Sequence, residues 1–171
     1  QLMKVKDERK KLIIIYKALI TFTFFIFILL KITAVMTSMD LIVIIIAIWL
    51  FDTFSFLGGK IIGGKKLMPL ISAGKTQSGL LVGISATLFS FYIYSVIVND
   101  FSLKNLLIIS IIILFAFIGD VTASIIKRLS SVKDSGSIIP GHGGLLDRLD
   151  SFIGVFSIIG IYQLLSWRKL I

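Results

Sequence analysis

The chain has no cysteine, one histidine (His142), two prolines (Pro69 and Pro140) and only 16% charged residues. Without cysteine there is no disulfide framework and no thiolate metal site, and the redox compartment leaves no mark. The low charge argues against an ordinary soluble domain, in which roughly a quarter of residues are charged. A lone histidine is more often a hydrogen-bonding loop residue than a catalytic base.

In place of charge there is apolar surface: 57% of residues are hydrophobic and the mean hydropathy is +1.04. Several runs approach or exceed the ~18 residues that mark a membrane-spanning helix. The expected fold is all-α, a polytopic membrane helix bundle of about five transmembrane helices. The expected spans are 12–32, 41–57, 79–98, 103–126 and a short one at 152–167. A basic arm, 1–11, precedes a single transmembrane catalytic domain, 12–171. The first apolar run is too long for a cleavable leader and lacks a small-residue cleavage site.

The net charge of +9 would suggest nucleic-acid binding in a soluble protein. Here the retention of Lys and Arg on the cytoplasmic side accounts for it, and no nucleic-acid partner is expected. With the N-terminus cytoplasmic, the arm and the polar segments 58–78 and 127–151 share that side. The opposite side then keeps Lys31, Lys104, Arg168 and Lys169.

The polar residues concentrate in 119–151, GDVTASIIKRLSSVKDSGSIIPGHGGLLDRLDS, which holds Asp120, Asp134, Asp147, Asp150 and His142. Carboxylates near the membrane are costly and mark function. On a continuous helix Asp120, Ser124 and Lys127 share one face. Asp147 and Asp150 share a turn. Carboxylates without thiols suit a hard cation such as Mg2+. With Lys127, Arg128, Lys133 and Arg148 beside them, they are what phosphate transfer requires. Asp52 sits near the end of its span; an interfacial carboxylate paired with a lysine is the plainer alternative. Gly143 and Gly144 flank His142 and let backbone approach a ligand. The run Ser72-Ala73-Gly74-Lys75-Thr76 fails the Walker A spacing, since Pro69 stands five before Gly74.

The pattern S-x-x-K-R-x4-K-D-x-G-x3-P-G-H-G-G-x-x-D-R-x-D, from Ser124 to Asp150, closely resembles the signature of phosphatidate cytidylyltransferases. Asp52 to Gly63 resembles that family's D-T-x5-G-x3-G segment, and Ser72 to Gly79 its S-P-K-K-T-x-E-G segment. In the latter, Ala73 stands for Pro, Gly74 for the first Lys and Ser78 for Glu. The resemblance covers about residues 45–155. Members are usually longer, with more N-terminal spans. It implies an integral membrane enzyme, with its active site on the cytoplasmic side of a bacterial inner membrane. That enzyme joins CTP to phosphatidic acid, giving CDP-diacylglycerol and pyrophosphate. It further implies Asp120 and Asp147 holding Mg2+ with Asp150 in support, and leaves open a second, monovalent cation. Lys75 and Thr76 would contact nucleotide phosphates; Lys127, Arg128 and Arg148 would bind phosphate, that of the lipid included. Asp52, Ser72, Lys133, His142, Gly143 and Gly144 complete the substrate-binding set. The lipid bilayer and a second copy of the chain are the remaining implied partners. Cytidylyl transfer to another lipid phosphate, or a non-catalytic membrane homologue, are the alternatives.

Overall fold

The computed structural model describes residues 36–129 and 146–167, apart from the side chains of 73, 146–148 and 163–167. The described residues form four helices and one hairpin: α1 (Ser38–Ile61), β1 (Lys66–Met68), β2 (Ser72–Thr76), α2 (Gln77–Ile97), α3 (Leu103–Leu129) and α4 (Leu146–Trp167). The expected span 12–32 and the arm lie outside the described residues.

α1 begins before the apolar run expected at Leu41 because Thr37 and Asp40 form a capping box. Thr37 N donates to Asp40 Oδ2 (3.0 Å), and Asp40 N donates to Thr37 Oγ1 (3.2 Å). Two donors that the first helical turn leaves unpaired are satisfied this way. The helix continues through Gly58 and Gly59 to Ile61. It stops where Gly63 and Gly64 adopt φ of +67° and +99°, a region that glycine alone enters at little cost.

The chain then forms an antiparallel ribbon, with Lys66 opposite Thr76 and Met68 opposite Ser72. An all-α expectation is thus corrected by one short ribbon. The glycines end the helix, and backbone groups between two helix ends find partners in each other. Gln77 N donates to Lys65 O (3.0 Å), which joins the base of the ribbon to the start of α2. Thr76 caps α2 by accepting from Gly79 N at 3.0 Å.

The core follows helical spacing. Ile44, Ala47, Ile48 and Phe51 of α1 face Ile109, Ile112, Ile113 and Ala116 of α3, closed by Val155 and Phe156 of α4. Each of the first two sets falls at i, i+3, i+4 and i+7, one stripe of a helix. α1 and α2 pack as one antiparallel pair, α3 and α4 as another, through small residues. A Cβ at Gly79 would lie 2.5 Å from Ser55 O, and one at Gly119 would lie 2.5 Å from Asp150 O. Close backbone approach at small residues is how helices associate where lipid removes the hydrophobic drive.

The outward faces are apolar. Trp49 and Phe89 are each 62% exposed and Leu114 53%, a surface that suits lipid and not water. α1, α2 and α3 are long and apolar enough to cross a membrane. The last expected span starts earlier than 152: α4 begins at Leu146 and takes in Asp147 and Asp150, and its apolar part, Leu149–Tyr162, is shorter than the others. The protein is an integral membrane helical bundle.

Candidate active site

Two cavities open at opposite ends of the bundle. The larger, about 750 Å3, is walled mainly by aliphatic and aromatic side chains such as Ile44, Phe91, Ile109 and Val155, with Asp40, Asp100 and Lys104 among its few charged residues. The smaller, about 530 Å3, gathers Asp52, Asp120 and Asp150 with Lys60, Lys66 and Lys75. Chemistry belongs to the second, because Asp52, Lys75, Thr76, Asp120 and Asp150 all line it.

Three elements bring the carboxylates together. Asp52 is on α1. Asp120 follows Gly119 on α3, and Asp150 lies one turn before Gly154 on α4. Gly119 and Gly154 meet backbone to backbone; a Cβ on Gly119 would stand 2.8 Å from Gly154 Cα. No larger residue pair would let α3 and α4 bring Asp120 and Asp150 into one cleft at this separation. Asp120 and Asp52 are electrostatic neighbours of Asp150, as is Lys127.

The ribbon delivers the cation. Lys75 Nζ lies 2.7 Å from Asp120 Oδ2, with the two side chains 18% and 30% exposed. The ammonium also stands 5.3 Å from the centroid of the Phe117 ring. At this distance the pair is held by charge at close range. Removing two charges from water is costly unless each compensates the other, and here the lysine and the carboxylate do so.

Serines complete the walls. Ser151, 3% exposed, donates from Oγ to Asp52 Oδ1 at 3.3 Å and from its backbone N to Asp150 Oδ1 at 2.9 Å. It thereby links α1 to α4 beside the acids. Ser78 Oγ donates to Gly63 O and lies 3.1 Å from Thr76 Oγ1, tying the glycine turn to the start of α2. Ser55 Oγ is enclosed and unpaired among the described residues, and Ser55 lines the cleft.

Of the expected site residues, Asp52, Asp120, Asp150, Lys75 and Thr76 line this cleft. Ser72 lies on β2 opposite Met68 and outside the cleft wall. Lys127 and Arg128 occupy the last turn of α3, where Arg128 Nε donates to Ile71 O at 3.0 Å. That bond fixes the ribbon tip to the end of α3. α3 is continuous from Asp120 through Arg128, so Asp120, Ser124 and Lys127 share a face as expected. Asp147 and Arg148 belong to the first turn of α4, with their side chains outside the described residues. Lys133, His142, Gly143 and Gly144 also lie outside the described residues.

Sequence reasoning missed Lys60, Lys66, Ser55, Ser151 and Phe117. The lysines were absorbed into the charge bias of a polar segment. Ser151 carried a faint signal in its position beside Asp150, and Ser55 and Phe117 carried none.

The donor chemistry fits a hard divalent cation, since carboxylates are present and the chain has no thiol. Among the described residues no three acidic or histidine side chains converge on one point. The third carboxylate of the expected set, Asp147, has its side chain outside them.

The sequence profile of the cytidylyltransferase family matches residues 2–166. Curated proteins named phosphatidate cytidylyltransferase are similar. One from Staphylococcus saprophyticus is 42% identical over 118 residues, covering 68% of this chain and 45% of that protein. One from Rickettsia bellii is 44% identical over 128 residues, covering 67% of this chain and 55% of its own length. One from Staphylococcus aureus is 40% identical over 124 residues, with coverages of 70% and 46%. The chain spans about half the length of the curated relatives it matches.

Proposed function

The chain belongs to the cytidylyltransferase family, and from that premise we propose that it transfers the cytidylyl group of CTP to phosphatidic acid. A phosphate oxygen of phosphatidic acid bonds to the α-phosphorus of CTP. The bond from that phosphorus to the bridging oxygen breaks, and pyrophosphate leaves with its electron pair. CDP-diacylglycerol remains in the bilayer. One observation carries the reading: the Lys75–Asp120 pair stands in a polar cleft at one end of an apolar bundle. A water-soluble triphosphate and a membrane-bound phosphate can meet only at such a place.

The chain's own residues have separable tasks. Asp120, Asp150 and Asp147 are the carboxylates that would hold Mg2+. Bound there, the cation supplies charge neutralisation on the phosphoryl oxygens. Lys75 holds Asp120 in place before substrate arrives and offers its ammonium to nucleotide phosphate. Ser151 fixes Asp52 and Asp150 relative to each other. Thr76 presents the start of α2, where the helix dipole favours anions. The proposal puts this end on the cytoplasmic face of a bacterial inner membrane, where CTP is found, a reading the basic polar segments support; association into a homodimer belongs to the same proposal.

The test is a product assay on membranes bearing the full chain, with labelled CTP, phosphatidic acid, and Mg2+ present or chelated. Lipid-extractable CDP-diacylglycerol is expected only with Mg2+. Absence of product above control membranes would count against the proposal. A panel of other lipid phosphates in the same preparation tests the acceptor, and Mg2+-dependent CTP binding separates an enzyme from a non-catalytic homologue.

A further inference from the structure

We infer that Lys60 and Lys66 form a subsite for the outer phosphates of the nucleotide, the portion that leaves as pyrophosphate. The inference rests on the proposed function and adds to it which cations serve which phosphates.

The lysines of the cleft are sorted by depth. Asp52, Asp120 and Asp150 come from α1, α3 and α4. Lys60, in the last turn of α1, and Lys66, the first residue of β1, line the same cleft. Lys75 is largely enclosed and tied to Asp120. Lys60 and Lys66 are exposed, so they stand nearer the mouth. The pairing of Lys66 with Thr76 across the ribbon puts the lysine beside the residue that caps α2. Lys60 Nζ is held 5.8 Å from the Phe56 ring centroid, within the range of a cation–π contact.

One further observation points to an anion. The start of the 21-residue helix α2 enters the same wall through Thr76 and Gly79, and its aligned peptide dipoles favour negative charge there.

Of a triphosphate, the outer phosphates carry most of the charge; set against the lysines and the helix start, they bring the α-phosphorus towards Lys75 and the acids. A phosphomonoester headgroup, at roughly −1.5 to −2, is the competing occupant. The end of α3 carries a separate basic pair, Lys127 and Arg128.

The experiment measures equilibrium binding of CTP, CMP and inorganic pyrophosphate to the full chain in detergent. It compares the wild type with the double variants K60M/K66M and K60R/K66R. For the methionine pair, CTP and pyrophosphate affinity should fall by about tenfold or more, the loss of charge-assisted contacts. Its CMP affinity should stay within about twofold, which also shows the cleft intact. The arginine pair should keep most of the CTP affinity. Unchanged CTP and pyrophosphate affinity in the methionine pair overturns the subsite while leaving the cytidylyl reading standing. A raised phosphatidic acid KM with unchanged nucleotide binding overturns it too, in favour of the lipid phosphate. A wild type that binds pyrophosphate through these lysines but no CTP supports the anion subsite and refutes the cytidylyl reading.

Discussion

Lys75 and Asp120 depend on each other before any substrate is bound. Replacing Lys75 by Met leaves the Asp120 carboxylate facing Asp150 and Asp52 without its cation. Breaking a fully buried pair costs ~3–5 kcal/mol; with side chains 18% and 30% exposed the loss here is smaller. Lys75→Met is therefore expected to fold, with a thermal midpoint only a few degrees lower, and to lose at least ~100-fold in turnover. Product assay and thermal unfolding in detergent check both. Asp147→Asn is expected to abolish turnover while leaving the melting profile unchanged; retained activity would remove Asp147 from the metal-holding set. Gly74 supplies a gain-of-function test. A Cβ there meets nothing within 4 Å, and the residue lines the cleft, so Gly74→Lys restores the cation that the family pattern has. An added exposed charge is worth ~0.2–1 kcal/mol. The KM for CTP should fall about two- to fivefold, with little change in kcat.

At the scale of elements, the helix crossings set the site. α3 and α4 approach through Gly119 and Gly154, one residue from Asp120 and one turn from Asp150. Adding a side chain there pushes the helices apart and separates the acids. Gly154→Val is expected to destabilise by ~1–3 kcal/mol, the usual range for overpacking, and to lower activity by more than the stability loss explains. Thermal midpoint and kcat measured on the same preparation decide. If activity tracks stability alone, the crossing does not position the carboxylates. The ribbon is the second such element. Two positive-φ glycines start it, Gln77 N closes its base on Lys65 O, and Arg128 clamps its tip. The ribbon can therefore hold Lys66 and Lys75 over a cleft otherwise made of helices.

For the whole molecule, the cleft and the larger apolar cavity lie at opposite ends of a bundle whose outer surface is apolar. The proposed orientation puts the ribbon on the cytoplasmic side and the α2–α3 connection on the other. The absence of cysteine makes this directly measurable. Leu70→Cys, at a tip position 93% exposed, should react with an impermeant maleimide only in inside-out vesicles. Asp100→Cys should react only from the opposite side. The reverse pattern would invert the orientation and place the site away from CTP.

Composition and hydropathy determined the apolar helices and their approximate limits, and the resemblance to a family signature pointed to the candidate site residues. Each of these is local: a span is a run of side chains, and the signature is a short stretch of chain. Asp120 was legible for that reason; Lys75 and Thr76 were legible only through the family resemblance. The tertiary structure decided what lies far apart in sequence. It paired Lys75 with Asp120 and Ser151 with Asp52, and it brought Lys60 and Lys66 into the same cleft. It also revealed the ribbon, whose strands are too short to show a two-residue period. Contacts of this kind depend on which glycines let helices touch and which turn ends a helix, and a linear pattern carries neither distance.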